Sequence, residues 1–417
     1  MKVMGGRAAP RGHAGRAMFA RKKVLGVLVI GVAGVLVAAC GSSASGKTST
    51  TATGSGVPCG KMAIGLVGPL TGPDSSFGQA DEDSAKLAID NYNSAHPNCK
   101  VSLVLFDTQG IPSNTPPAAT KAIQNSDIVA VLGPEFSGSV EAGEPIFNQA
   151  GMPTVTSDAT AIDLSTHGWK VFHRTVGSDG VEAPGEAIFT VKNLHATSVA
   201  VINNGESYGA GIAQAYAQTL PKIGGKVALK ATINPSASNY SSTVLAIKGS
   251  SAKAVYCGCL YPEAARLLKQ LRQGGVSLPF ISDAGSIESS FVSIAGSSAA
   301  TGAVAGEAAV ITSRYAPAET FLKQYVQKFG ASAAQTYAPE GYDAANAILK
   351  AIAAGNHSRS AINKYLATES FNGVSGHIQF NSNGNVITST VNVLSVKSGS
   401  WQYLTQVSVP AKLQVGG

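Results

Sequence analysis

The chain has 417 residues, 13% of them charged and 44% hydrophobic, and a formal charge of +7. Residues 1–39 hold seven basic side chains (Lys2, Arg7, Arg11, Arg16, Arg21, Lys22, Lys23) and no acid, which leaves 24 basic against 24 acidic residues in the remainder. A formally neutral body excludes a polyanion binder, which needs uncompensated cations to displace counterions, so no nucleic-acid partner is expected; low charge without acidic or basic blocks also argues against a mainly disordered chain.

In chain order, the basic stretch ending Arg21-Lys22-Lys23 precedes 16 uncharged residues, Val24 to Ala39. A spanning helix needs about 20 such residues; the shorter run suits a secretory signal over 1–39. Met18 is an alternative start that keeps the same charged end. Val37-Ala38-Ala39-Cys40 resembles a bacterial lipobox, in which the cysteine thiol takes a diacylglycerol and becomes the first residue. Residues 41–56 are a Gly/Ser/Thr tract with one charge, a composition that forms a flexible tether. Anchor, tether and body together place the work outside the cytoplasmic membrane, at its surface.

From Lys61 onward, short apolar runs alternate with helical periodicity. MAIGLV (62–67) leads to a helix from Ala80, with Ala85, Ala88, Ile89, Tyr92 and Ala95 on one face. VSLVLF (101–106) leads to a helix over about 118–125, and IVAVLG (128–133) to one from Val140. A second series begins at SVAVIN (198–203) and continues through VALKATI (227–233) and AVYC (254–257). Repeated βα units predict parallel sheets covered on both faces. A body of roughly 380 residues exceeds what one core usually supports, so the α/β chain is expected to form two doubly wound parallel-sheet lobes, dividing near residue 178. Ligands of such sheets bind off the carboxyl ends of the strands, so function should be sought in the loops that follow them.

Four cysteines lie in the body. Cys59 and Cys99 precede the first two strands; if those strands pair in parallel, both sit at one end of the sheet and a bridge is expected. Cys257 and Cys259 face one side of a strand and are read as packing residues, since a single pair of ligands without a second makes no metal site. The seven histidines form no H-x-x-H or H-x-x-x-H pair. Neither a metal nor another cofactor is expected.

The loops themselves carry IGLVGPLTGPDSSFGQ (64–79), VLGPEFSGS (131–139), NNGESYGAG (203–211), SDAGS (282–286) and TYAPEGYDAANAIL (336–349). In this order and spacing, over about residues 60–400, they resemble the amino-acid-binding proteins of ATP-driven importers, the leucine/isoleucine/valine-binding type of the type I periplasmic binding fold. The resemblance implies a chain that crosses between lobes three times, with one lobe over 57–178 and 308–391 and the other over 179–307 and 392–412. It implies a monomer that delivers a small solute to an ABC permease: a branched-chain amino acid first, then other amino acids, amides or urea, and aromatic acids.

By the same resemblance, Ser137 and Thr160 meet a ligand carboxylate, with Asp158 and Ala159 supplying backbone donors. Asp283 or its neighbour pairs with the ammonium. Tyr208 covers the ligand and Tyr337 lies at the cleft floor. Phe77 stands where the family often has tyrosine, and Leu260 where many members have an aromatic, although Tyr261 adjoins it. Glu135, beside the carboxylate loop, would disfavour a simple acid and favour a further cationic group if it pointed inward.

Two other readings remain. G205-E206-S207-Y208-G209 is a G-x-S-x-G between a strand and a helix, the setting of a hydrolase nucleophile at Ser207, with Asp283, His357 and His377 downstream as acid and base; no oxyanion loop of the H-G-G-G type precedes it. The same fold also serves as a sensor ectodomain, which here would need a separate signalling partner.

Overall fold

The computed structural model describes residues 59–309, 314–330 and 337–416. The expected signal segment, Cys40 and the tether lie outside the described residues.

Five strands form the first sheet: β1 (Met62–Gly68), β2 (Val101–Asp107), β3 (Ile128–Leu132), β4 (Thr154–Thr156) and β5 (Phe172–Arg174). They pair in parallel in the order β2-β1-β3-β4-β5. Strands β1 and β3 are buried throughout, whereas edge strand β2 alternates between buried and exposed. Continuous apolar runs mark the first kind and alternation the second. Ile64, Leu66 and Leu132 feed one face; Ala63, Val67 and Val131 feed the other. Helices α1 (Ser75–Ala95), α2 (Thr115–Gln124) and α3 (Ser137–Ala150) cover them.

The chain then enters the second layer system through α4 (Asp179–Lys192). Strands β6 (Ser198–Asn203), β7 (Lys226–Thr232), β8 (Ala254–Gly258), β9 (Phe280–Ser282) and β10 (Val304–Glu307) alternate with α5 (Ser207–Thr219), α6 (Ser241–Gly249), α7 (Tyr261–Gln273), α8 (Ser289–Ala295) and α9 (Ser297–Ala300). Helices α10 (Ala316–Phe329), α11 (Ala338–Ala353) and α12 (Arg359–Leu366) and the small pair β11 (Ser370–Asn372) and β12 (His377–Gln379) follow, with α11 packing its alanine face on α1. Finally β13 (Thr390–Lys397) and β14 (Ser400–Ser408) join the second sheet, antiparallel at its edge. That sheet reads β14-β13-β10-β9-β8-β6-β7.

Strands β1–β5 and β6–β10 thus share one doubly wound order, with the reversal between β1 and β3 in one lobe and between β6 and β8 in the other. This is the type I periplasmic binding fold. Crevices at such reversals, off the carboxyl ends of the strands, are where ligands bind.

Near the start of β1 and β2, Cys59 and Cys99 are joined by a disulfide, with their Cα atoms 5.1 Å apart. Cys257 and Cys259 are also bridged, rather than packing as separate thiols. Strand β8 ends at Gly258, and the turn there brings their Cα atoms to 5.4 Å, shorter than the roughly 6.6 Å of two strand steps and within bridging range. Three helix starts also precede their expected places, α1 at Ser75, α2 at Thr115 and α3 at Ser137. Their first turns are polar or contain Gly or Pro, so apolar periodicity sets in only later.

Candidate functional site

A cavity of about 290 Å³ lies between the two sheets, walled by the loops after their strands. The reversal in the first sheet supplies Asp74 and Phe77 after β1 and Phe136 to Ser139 after β3; Asp158 follows β4. The second sheet supplies Glu206, Ser207 and Tyr208 after β6, Leu260 after β8 and Gly285 after β9. With Gly110 and Pro112 after β2, seven strand ends separated in sequence converge on one space.

The two sides touch across it. Ser207 Oγ donates to Glu141 Oε1 at 2.6 Å, and the Tyr261 hydroxyl donates to the Pro73 carbonyl at 2.5 Å. Phe77, 3% exposed, packs into the second lobe's apolar cluster together with Tyr337. Its ring meets Phe136 edge-on at 5.5 Å and lies 6.1 Å from Tyr261 and 6.3 Å from Tyr337.

On the first lobe, Phe136 holds φ at 71°, a region that side chains rarely adopt, and its N–H donates to Asp158 Oδ1 at 3.0 Å. Such strain persists where surrounding structure fixes it, often at functional sites. Asp158 is 8% exposed and its Oδ2 has no hydrogen-bond partner. Burial raises its carboxyl to about 7, against the hydrogen bonds from Phe136 and Thr156. Behind it lie Asp81 and Glu135, both fully enclosed and both pushed well above the usual carboxylate range, first by burial and then by neighbouring charge, Asp158 acting on both, Glu340 on Asp81 and Asp81 on Glu135. Glu135 does point inward, but into the lobe against Gly68 and Asp81 rather than into the cavity.

Ser137 begins α3 at the wall; its hydroxyl accepts the Ala161 N–H at 3.1 Å, and so ties the helix start to the next loop. Ala159 and Thr160 are fully buried and stand behind the wall. Arg174 turns that loop away: its Nη1 donates to the Ala159 and Ala161 carbonyls at 3.1 and 2.8 Å and its Nε to Asn385 Oδ1 at 2.7 Å. The Thr160 carbonyl meanwhile accepts the Asp179 N–H at 3.0 Å.

On the second lobe, Asp283 is fully buried just behind Gly285. Its Oδ2 accepts the Cys259 N–H at 2.9 Å and its Oδ1 has no partner. Burial holds this carboxyl well above its ordinary range, with the Cys259 N–H and the Tyr208 hydroxyl opposing the rise. Tyr208 also accepts the Gly285 N–H at 3.3 Å. A Cβ at Gly285 would stand 2.9 Å from Leu260 Cδ2 and 3.1 Å from Asp283 Oδ1, so glycine keeps this corner open. Tyr337 lies behind Phe77 rather than at the wall.

The hydrolase arrangement does not assemble. His357 lies beside the Cys59–Cys99 bridge, and His377 is hydrogen-bonded to Asn372 and Ser370 on the small β11–β12 sheet. The Ser207 hydroxyl is committed to Glu141.

Phe77, Ser137, Asp158, Tyr208 and Leu260 reach the wall, as do Asp74, Phe136, Glu141 and Glu206, which sequence reasoning passed over. Glu141 was open to detection, being four residues beyond Ser137 and hence on the same helix face. Burial raises Asp74 to about 6, with Glu206 adding to the rise and Arg266 opposing it.

Known proteins share this architecture. A leucine-binding protein of Thermotoga maritima superposes with a TM-score of 0.76 at 27% identity, over 83% of this chain and 99% of that one. The leucine-, isoleucine-, valine-, threonine- and alanine-binding protein of Pseudomonas aeruginosa is 28% identical over 237 residues, 56% of this chain and 63% of its own length. A Leu/Ile/Val-binding protein of Rhizobium johnstonii is 32% identical over 245 residues, 58% of this chain and 66% of its own. Each of these two alignments spans less than two thirds of the relative. The model of the periplasmic binding protein family matches residues 61–400, and with this fold and interlobe cavity the chain belongs to that family.

Proposed function

We propose that the protein is the extracytoplasmic solute-binding subunit of an ABC importer, holding an amino acid between its lobes and passing it to the permease. The observation that carries this reading is the cavity itself, whose walls come from both lobes at both strand-order reversals. A solute that touches both sides favours the closed form over the open one, and the permease reads that form.

In this reading residues 1–39 direct export, Cys40 carries the lipid and 41–56 are the tether. The lobes are 57–178 with 308–391, and 179–307 with 392–412; the protein acts as a monomer and catalyses no reaction. Ser137 and the N–H groups of the α3 start receive the carboxylate, since helix N-termini suit anions. Asp283 receives the ammonium, which compensates a carboxylate that burial otherwise disfavours. Ala159 and Thr160 shape the loop behind Ser137, while Phe77, Tyr208, Leu260 and Tyr337 enclose the side chain. The relatives in Pseudomonas and Rhizobium, named for binding leucine, isoleucine and valine, favour an amino acid as solute.

Titration calorimetry with leucine, isoleucine, valine, lysine and benzoate tests this. Saturable binding of an amino acid is expected, lost in Asp283→Ala while the ligand-free melting temperature changes little. Absence of binding to every amino acid tried would sink the reading, as would ester hydrolysis that disappears in Ser207→Ala.

A further inference from the structure

We infer that the natural ligand carries a net positive charge: an amino acid whose side chain ends in an ammonium or guanidinium. The inference rests on the amino-acid reading of the cavity and specifies which side chain it takes. Four carboxylates line the space (Asp74, Glu141, Asp158, Glu206), and no Lys, Arg or His does. Asp74 is half-buried and its Oδ1 has no hydrogen-bond partner. An unpartnered buried carboxylate is costly unless a cation compensates it.

A neutral zwitterion brings one positive and one negative group, so it leaves the balance of the wall unchanged. The carboxylates are also divided in space. Asp158 lies on the first lobe beside the start of α3. Asp74 and Glu206 also line an adjoining opening of about 580 Å³, which places them at the mouth. Asp74 is half-buried there and Glu206 is exposed on its outer side. Glu141 lies between the lobes, held by Ser207. Arg266 is the basic group at this mouth, but it borders the opening and not the cavity, and it donates to the Pro235 carbonyl and the Tyr240 hydroxyl.

A ligand with its carboxylate on Ser137 and the start of α3 and its backbone ammonium on Asp283 would carry a second cation towards Asp74 and Glu206 at the mouth. The wall between the two cations is Phe77, Phe136, Tyr208 and Leu260. Aromatic and apolar surface suits the methylene stem of a lysine-like side chain, and ring faces attract its cationic head. Asp74 and Glu206 are thereby assigned as the residues that select the side chain.

Calorimetry on the purified full-length protein would use L-lysine, L-ornithine, L-leucine and L-norleucine, the last having a stem like that of lysine without the charge. Lysine or ornithine is expected to bind at least tenfold more tightly than norleucine, and the margin should narrow as KCl is raised. In the Asp74→Asn, Glu206→Gln double variant the margin should fall at least tenfold, the loss falling on lysine and ornithine. Because both side chains reach solvent at the mouth, their amide replacements should fold; Glu206→Gln alone gives a smaller loss in the same direction. If leucine or norleucine binds as tightly as lysine, or if the double variant keeps its full preference, the inference is overturned while the amino-acid reading stands. If none of the four binds, both fail.

Discussion

Replacing Asp158 by asparagine keeps an acceptor for the Phe136 N–H and removes a titrating group from a crowded acidic site. Burial alone raises Asp158, and its charge in turn adds to the rise at Asp81 on α1 and Glu135 before α3. The unfolded chain releases the Asp158 proton near 3.8, the folded chain only near 7. Between those values the folded state holds more protons, so stability is greatest at acid pH and falls as pH rises towards 7. From pH 5 to the folded value is about two units at about 1.4 kcal/mol each, hence about 3 kcal/mol. At about 2 cal/mol/K per residue over roughly 360 residues, this corresponds to a melting-temperature difference of about 4 °C. Melting curves of the ligand-free protein and of Asp158→Asn at pH 5 and pH 8 give the measurement. The wild type should lose about 4 °C more than the variant on going to pH 8; parallel losses would refute the argument that this carboxyl is buried without compensation.

Arg174→Met should destabilise the fold by about 3–5 kcal/mol in denaturant titration, because Asp179 loses its buried cation and the Ala159 and Ala161 carbonyls lose their donor; a cost below about 1 kcal/mol would show that the loop holds itself. Gly285→Val should weaken ligand binding more than tenfold in calorimetry with little change in melting temperature, since the added atoms fill the corner between Leu260 and Asp283; unchanged affinity would place the ligand elsewhere. Replacing both Cys59 and Cys99 by serine opens a loop closed over a sequence separation of 40 and should cost about 4 kcal/mol of unfolding free energy. Cys40→Ala should abolish incorporation of labelled fatty acid and release the protein from the membrane fraction; continued labelling would exclude that cysteine as the anchor.

The strands that build the floors of both lobes were legible because burial on two faces leaves unbroken runs such as IVAVL and SVAVI. Helix starts were less so. The first turn of α3 is Ser137-Gly138-Ser139, which serves the cavity rather than the core and carries no apolar signal. Ser137, Asp158, Tyr208 and Leu260, singled out through the order of the loop motifs, line the cavity. Ala159 and Thr160 were expected at the wall, but Arg174, from a different strand, draws their loop back. Asp74 and Glu206 are 132 positions apart and become neighbours only when the lobes meet, which periodicity and spacing do not encode. The Cys257–Cys259 bridge depended on where β8 ends, a matter of one residue.

Phe77 belongs to the first lobe yet is seated in the second lobe's apolar cluster. Withdrawing one phenyl ring from such a socket costs about 2–3 kcal/mol, so parting the lobes means leaving a shallow well rather than swinging freely. The ring acts as a latch on the joined lobes, and a solute held between them adds to a contact that already favours closure. Trimming this one side chain to alanine would therefore change how steeply closure responds to solute, and with it the fraction of receptors that present a closed outline while empty.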